Sequence, residues 1–177
     1  MRHGLITLTF VFTCGIWSGA AQSVETTKNS FSLQHPKIRT VRSLYRSIEN
    51  DISAGRMKKN ERTFQSCEGG LSEDRIVYLD AQNRVRKYVR QGGSDDSTLT
   101  FRHYYDDAGR LRFVFVTGGA INGSIMEERI YLDHHGKLIR DDRKWTTGPG
   151  YPFVDFVEAG LLQRDPRHAF EQNCNSR

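Results

Sequence analysis

One octet of residues occurs three times in this chain and constrains its fold more than any other feature. The copies read YLDAQNRV at 78–85, YYDDAGRL at 104–111 and YLDHHGKL at 131–138. Three residues after each aspartate stands Asn83, Gly109 or Gly136, residue types that tolerate a positive φ. The aspartate can bond backbone N–H groups further along, and the final apolar residue returns to a sheet. Each octet therefore predicts a hairpin turn with a bulge at the Gly or Asn.

The spacing of the octets predicts a single antiparallel meander. Their opening tyrosines lie 26 and 27 residues apart, which leaves room for about two strands in each unit. Alternate turns of a meander fall at one end of the sheet, so one rim would carry Asp80, Asp106, Asp107, Asp133, His134 and His135. Carboxylates and imidazoles are ligands for zinc and similar ions. Because turns are polar simply through exposure and paired strands separate these three, we predict no metal and no cofactor.

The octets are similar to the Tyr-Asp hairpin repeats of large bacterial surface and toxin proteins. The resemblance covers these octets alone and implies hairpins, not a function.

A helix is predicted before the meander. Apolar residues recur at steps of three and four, and Gly55 suits a left-handed C-cap; the stripe is Ile38, Val41, Tyr45, Ile48 and Ile52. Arg39, Arg42 and Arg46 lie on the opposite side. They are either a row that contacts an anion or a solvated face with Arg46 paired to Glu49, and the second reading is favoured because most amphipathic helices look like this.

The strand patterns complete an α+β prediction. The fold is an N-terminal amphipathic helix packed on a six- to seven-stranded antiparallel meander, with a short C-terminal helical segment begun by Asp165-Pro166. LRFVFV at 111–116 is apolar on both faces and suits the sheet centre. Residues 137–145 become polar on both faces and suit an edge, and RTFQSC at 62–67 is the first strand.

The N-terminal residues predict export to the periplasm or the medium. A basic start, a short apolar run and small residues before Ala21 indicate a signal peptide over 1–21. A flexible lead-in over 22–34 and one domain over 35–177 follow. A lipid anchor on Cys14 is disfavoured because Phe12 and Thr13 precede it. Cys67 and Cys174 then remain, and two cysteines in an oxidising compartment predict one disulfide rather than a reactive or metal-binding pair.

The charge pattern and the apolar runs give no reason to expect a nucleic-acid partner or a further membrane-spanning segment. Loss of Arg2 with the signal lowers the net charge from +5 to +4, and the basic residues form no stripe interleaved with aromatics, so nucleic acid is not expected. No further apolar run could cross a membrane.

Catalytic motifs are absent from the sequence. His103, Glu127 and Glu128 could act as acids or bases, yet each has an ordinary place on a strand. The aromatics Trp145, Tyr151 and Phe153 flank a stiff Gly-Pro-Gly loop and either grip a ligand or, more often in such loops, cover a core. The function predicted is a non-enzymatic exported binding module for an envelope protein or polysaccharide. The alternatives are a small envelope-acting hydrolase or inhibitor-like factor and a purely structural envelope protein. The oligomeric state is left open.

Overall fold

The computed structural model describes residues 25–28, 31–65 and 71–173. The predicted signal peptide at 1–21 and both Cys67 and Cys174 lie outside the described residues. Cleavage and the disulfide therefore stay predictions.

Eight strands and two helices make up the described chain. In order they are β1 Glu25–Lys28, α1 Pro36–Ser53, β2 Lys58–Phe64, β3 Glu73–Leu79, β4 Val85–Ser94, β5 Ser97–Tyr105, β6 Leu111–Ala120, β7 Ile125–Leu132, β8 Leu138–Thr147 and α2 Pro166–Glu171. Strands β2 to β8 form an antiparallel meander of seven strands, and β1 pairs with the outer side of β8. The predicted α+β meander is confirmed, with β6 near its centre.

Two boundaries differ from the sequence prediction. Within the segment 22–34 expected to be a lead-in, Glu25–Lys28 form β1, which places Glu25 opposite Lys144 and Lys28 opposite Asp141. Strand β8 is therefore the last strand of the meander but not the outermost one of the sheet. The first meander strand begins at Lys58, four residues before the predicted start at 62.

The octets fold as three equivalent turns. In each, one aspartate Oδ1 accepts the backbone N–H groups two and four residues later: Gln82 and Arg84 on Asp80, Ala108 and Arg110 on Asp106, His135 and Lys137 on Asp133. Asn83, Gly109 and Gly136 have φ of 58°, 74° and 77°. The turn chemistry predicted for the octets is confirmed. The register shift lies beyond the turn, where Leu79 pairs with Val85 and Arg86 is left as the extra residue.

Two of these extra residues are arginines that connect neighbouring turns. Arg86 donates to its own Asp80 and through Nε to the Tyr105 carbonyl of the next unit, at 3.3 Å. Arg112 repeats the pattern, with Asp106 and the Leu132 carbonyl. Hydrogen bonds to ionised groups are stronger than neutral ones, so the rim is a connected polar network.

Helix α1 crosses the sheet close to this rim. Lys37 near its start lies 3.6 Å from Asp133, and Glu49 near its end lies 2.6 Å from Lys87 Nζ on β4. Its buried residues pack on Tyr104, Phe113 and Tyr131; they are Ile38, Val41 and Ile48. The helix ends as expected, with Gly55 at φ 68°.

The C-terminal segment covers the other face of the sheet. Phe156 is fully buried against Phe101, with ring centroids 5.1 Å apart. Just after the start of this segment the chain forms a turn at 156–160, which ends at Gly160 with φ 68°. Asp165 caps α2 by accepting the His168 N–H, as predicted. The free carbonyls at the end of α2 accept from two arginines of β2 and β3, Arg62 and Arg75.

Candidate functional site: a cationic groove beside helix α1

Helix α1 covers only half of the sheet face on which it packs. Successive residues on one strand alternate between faces, so the residues two positions along from the buried Tyr104, Phe113 and Tyr131 face the same way. These positions form two half-exposed rows across β5 to β8: first Arg102, Phe115, Arg129 and Asp142, then Thr100, Thr117, Glu127 and Lys144. Their side chains are the floor of the open half.

A groove of about 510 Å³ lies between this floor and the flank of α1. Five of the residues that line it are cationic: Arg42, Arg46, Arg129, Arg140 and Lys144. Arg143 also lines the groove, but its guanidinium binds Glu128 and the Phe153 carbonyl on the opposite face. We refer to this site as the cationic groove. Its size is typical of ligand sites.

The helix supplies two arginines that have no counter-ion among the described residues. Arg42 and Arg46 stand one turn apart, and neither makes a hydrogen bond or ion pair within the described chain. The predicted pair of Arg46 with Glu49 does not form, because Glu49 binds Lys87 instead. The burial of Tyr131 raises its pKa and Arg42 acts in the opposite direction, which places the Arg42 charge close to the groove floor.

The floor arginines are partly neutralised. Arg129 Nη2 lies 2.8 Å from Glu127, and Arg140 pairs with Asp142 and donates to the Phe31 carbonyl at 2.7 Å. Glu127 and Asp142 thus pair with the floor arginines, while Arg42 and Arg46 on the helix keep a positive field without a counter-ion among the described residues. Such a field attracts anions.

Aromatic rings lie between the two sets of cations. Tyr45 on the helix meets Phe113 edge-on at 5.4 Å. Phe115 is half-exposed, with the Arg102 and Arg129 guanidinium carbons 5.6 and 4.8 Å from its centroid. The groove therefore offers an apolar floor between cationic walls.

The three aromatics predicted to bind a ligand lie together on the other face. Trp145 stacks on Phe153 with centroids 6.0 Å apart, and Tyr151 contacts the same ring at 4.6 Å. Trp145 and Phe153 pack against the buried core under the C-terminal segment, and Tyr151 bonds Asp96 at 2.7 Å. This geometry fits the alternative in which the three aromatics cover a core. That they bind a ligand stays a prediction.

Two pairs of glycines lie within strands, Gly92 and Gly93 in β4 and Gly118 and Gly119 in β6. Gly118 leaves space for Phe153: a Cβ there would lie 3.1 Å from that ring.

The candidate acids and bases are divided between the two faces. Glu127 lies in the open half beside α1, whereas His103 is fully buried on the covered face, between Tyr88 and Phe101. Burial lowers the pKa of His103 to about 3, so the ring is neutral at ordinary pH. The sheet separates the two side chains, and they cannot act on one substrate.

Glu128 belongs to a buried acidic pair on the covered face. It binds Arg143, which also holds the Val154 carbonyl. Burial, together with the Glu128 carboxylate, raises the pKa of the neighbouring Asp141 to about 7. These groups lie under the C-terminal segment and serve its attachment.

The rim aspartates are occupied by their own turns. Although burial acts to raise it, the hydrogen bonds from Arg110 and Arg112 hold the pKa of Asp106 below its usual value. The ring centroids of His134 and His135 lie 3.8 Å apart, with the rings tilted by 45°. Within residues 25–28, 31–65 and 71–173, no three His, Cys, Asp or Glu side chains are arranged to hold a metal ion.

Comparison with known proteins identifies no relative. No family model, curated protein or solved structure matches this chain. In the described part of the chain no helix is both long and apolar enough to span a membrane.

The sequence indicates only the helix side of this groove. The four-residue spacing of Arg42 and Arg46 was visible, but their floor partners Arg129 and Lys144 come from strands about 90 residues later. Only the sheet register places these residues together.

Proposed function

We propose that this protein is an exported, non-enzymatic binding module whose ligand is an anion held in the cationic groove. The observation that carries the proposal is the pair Arg42 and Arg46, which faces Arg129 and Lys144 across an aromatic floor. Placing charged side chains without counter-ions beside half-buried rings costs stability, and a bound anion would offset that cost.

Binding accounts for the groove better than catalysis does. Its lining offers guanidinium, ammonium and aromatic groups, while the chain's buried histidine lies on the other side of the sheet. A hydrolase built on His103, Glu127 and a rim aspartate has no support in this arrangement. We therefore put forward no second function.

The compartment in this proposal rests on the signal peptide predicted from the sequence. A chain exported by the predicted signal peptide would meet its ligand in the periplasm or outside the cell. The partner class is then an anionic component of the cell envelope, either a protein or a polysaccharide.

Calorimetric titration with inorganic tripolyphosphate tests the proposal in its simplest form. We expect saturable binding that weakens as salt is added, since salt screens exposed charges. The double variant Arg42→Gln/Arg46→Gln should bind at least about tenfold more weakly, because two charge-assisted contacts are lost.

Arg39→Gln is the matched control. Arg39 is an exposed arginine of the same helix that does not line the groove, so its loss should leave the affinity unchanged. Equal weakening by Arg39→Gln and by the double variant would mean that the helix attracts anions only through its total charge, and the groove would lose its role.

A further inference from the structure

We propose that the anion is an acidic oligosaccharide, a chain of sugar rings that carry carboxylate or sulfate groups. This inference rests on the proposed function and names the ligand class of the same groove. Three properties of the groove support it: its number of charges, its length and the chemistry of its floor.

The charge count favours a ligand with several negative charges. Five cationic side chains line the groove. Those of Arg129 and Arg140 pair with acids, whereas Arg42 and Arg46 have no counter-ion among the described residues. A monoanion such as a fatty acid would leave one of these two charges unmatched. A repeating anion can meet cations on both walls.

The length favours a chain over a compact molecule. The cationic surface continues past the groove across the two floor rows, from Lys144 on β8 to Arg102 on β5. These two strands lie three strand spacings apart, or about 14 Å. The direction is that of α1, so a ligand lying along the helix would pass each cation in turn.

The floor favours sugar rings over a bare polyphosphate. The half-exposed ring of Phe115 and the ring of Tyr45 provide apolar surface for the C–H face of a sugar. Beside these rings stand acceptors that hydroxyl groups need, the carboxylates of Glu127 and Asp142, and the Thr117 hydroxyl that accepts from Arg102 at 3.0 Å. Polyphosphate, which has no donor, would gain nothing from these acceptors.

The test is a set of calorimetric titrations of the whole protein with defined probes. The acidic sugars are di-, tetra- and hexagalacturonate and a heparin-derived hexasaccharide. The comparison probes are tripolyphosphate, neutral maltohexaose and hexaglutamate. We expect a hexasaccharide of either acidic kind to bind more tightly than tripolyphosphate, and affinity to rise from the disaccharide to the hexasaccharide.

Variants separate the contribution of the ring from that of the charge. Phe115→Leu removes the aromatic surface and keeps all cations, so it should weaken hexasaccharide binding about threefold or more and leave tripolyphosphate unchanged. Arg42→Gln/Arg46→Gln should weaken both. Circular dichroism and a thermal melt confirm that each variant is folded.

Each other outcome overturns a stated part of the argument. If tripolyphosphate binds and neither acidic hexasaccharide does, the sugar inference is wrong and the proposed function stands. If no anion binds, both are wrong. Tighter binding of hexaglutamate than of either hexasaccharide would make the ligand an acidic polypeptide, and equal binding of maltohexaose would remove the role of charge.

Discussion

The two faces of this sheet are built from the same strands and have opposite properties. On the face under the C-terminal segment, the central positions are apolar and covered, as in the row Val114 and Ile130, both fully buried. On the open half beside α1, the equivalent positions are Phe115 and Arg129, both half-exposed. A shift of one residue along a strand separates a core position from a groove position.

Because of this difference, we expect different residues to stabilise the fold and to bind the proposed ligand. The covered face holds the C-terminal segment, and there the fully buried Glu128 pairs with Arg143. The open face holds cations that no described carboxylate neutralises, at Arg42 and Arg46. Residues on the first face should control unfolding, and residues on the second should control binding.

The largest expected effect comes from truncating the same residue type on both faces. Phe156→Ala removes a fully buried ring from the covered face and should lower the free energy of unfolding by about 3–5 kcal/mol. Phe115→Ala removes a half-exposed ring and should cost about 1 kcal/mol. Urea denaturation of the two variants measures both values, and equal costs would remove the distinction between the faces.

A second effect concerns the buried acid of the covered face. The pKa of Asp141 is raised to about 7 in the folded protein, above its ordinary value of 3.8, so the folded state binds the extra proton. Stability from this group is therefore present at low pH and lost as pH rises from about 4 to 7. The side chain of Asp141→Asn cannot ionise, so the variant should not lose this stability. The free energy of unfolding of the variant minus that of wild type should therefore be about 2–4 kcal/mol larger at pH 8 than at pH 4.

Denaturation midpoints of Asp141→Asn and wild type across that range provide the measurement. Asp142→Asn, next to it but on the open face, is the control. A parallel pH dependence of wild type and Asp141→Asn would contradict the assignment.

The buried histidine should act in the opposite direction. The pKa of His103 is lowered to about 3 from 6.5, so the unfolded chain binds the proton first as pH falls. Its contribution is fully present above pH 6.5 and is lost progressively below it, by about 2 kcal/mol between pH 6.5 and 4.5. His103→Leu should lack this loss, which a comparison of thermal melts at the two pH values would show. If the leucine variant declines as steeply as wild type, other groups cause the acid sensitivity.

The smallest expected effect belongs to the open face. Arg42→Gln/Arg46→Gln removes no fully buried side chain and no described ion pair, so the free energy of unfolding should change by no more than about 0.5 kcal/mol. The same variant is expected to lose anion binding. A loss of stability as large as that of Phe156→Ala would mean that these arginines stabilise the fold, which contradicts the prediction.

The sequence predicted what depends on local chemistry. The octet turns, the end of α1 at Gly55 and the cap at Asp165 follow from residue types within a few positions of each other. The meander followed because three such turns repeat at nearly equal spacing. These features need no knowledge of distant contacts.

Features that depend on register were not predictable in the same way. The extra residue at Arg86 lies after the turn and moves Val85 to the opposite face from Lys87, although strict alternation puts both on one side. The favoured pairing of Arg46 with Glu49 was wrong because Lys87 from β4 is the closer partner. The groove itself required the position of α1 on the sheet.

The arginine links between turns have an evolutionary consequence. Each octet aspartate accepts the backbone N–H groups of its own turn, and Arg86 links its own Asp80 to the unit that follows. Duplication of one unit would therefore insert two strands without breaking any existing turn, and would widen the sheet by about 10 Å. Because the groove runs across the strands, such a duplication would lengthen the open face of the sheet by the same amount.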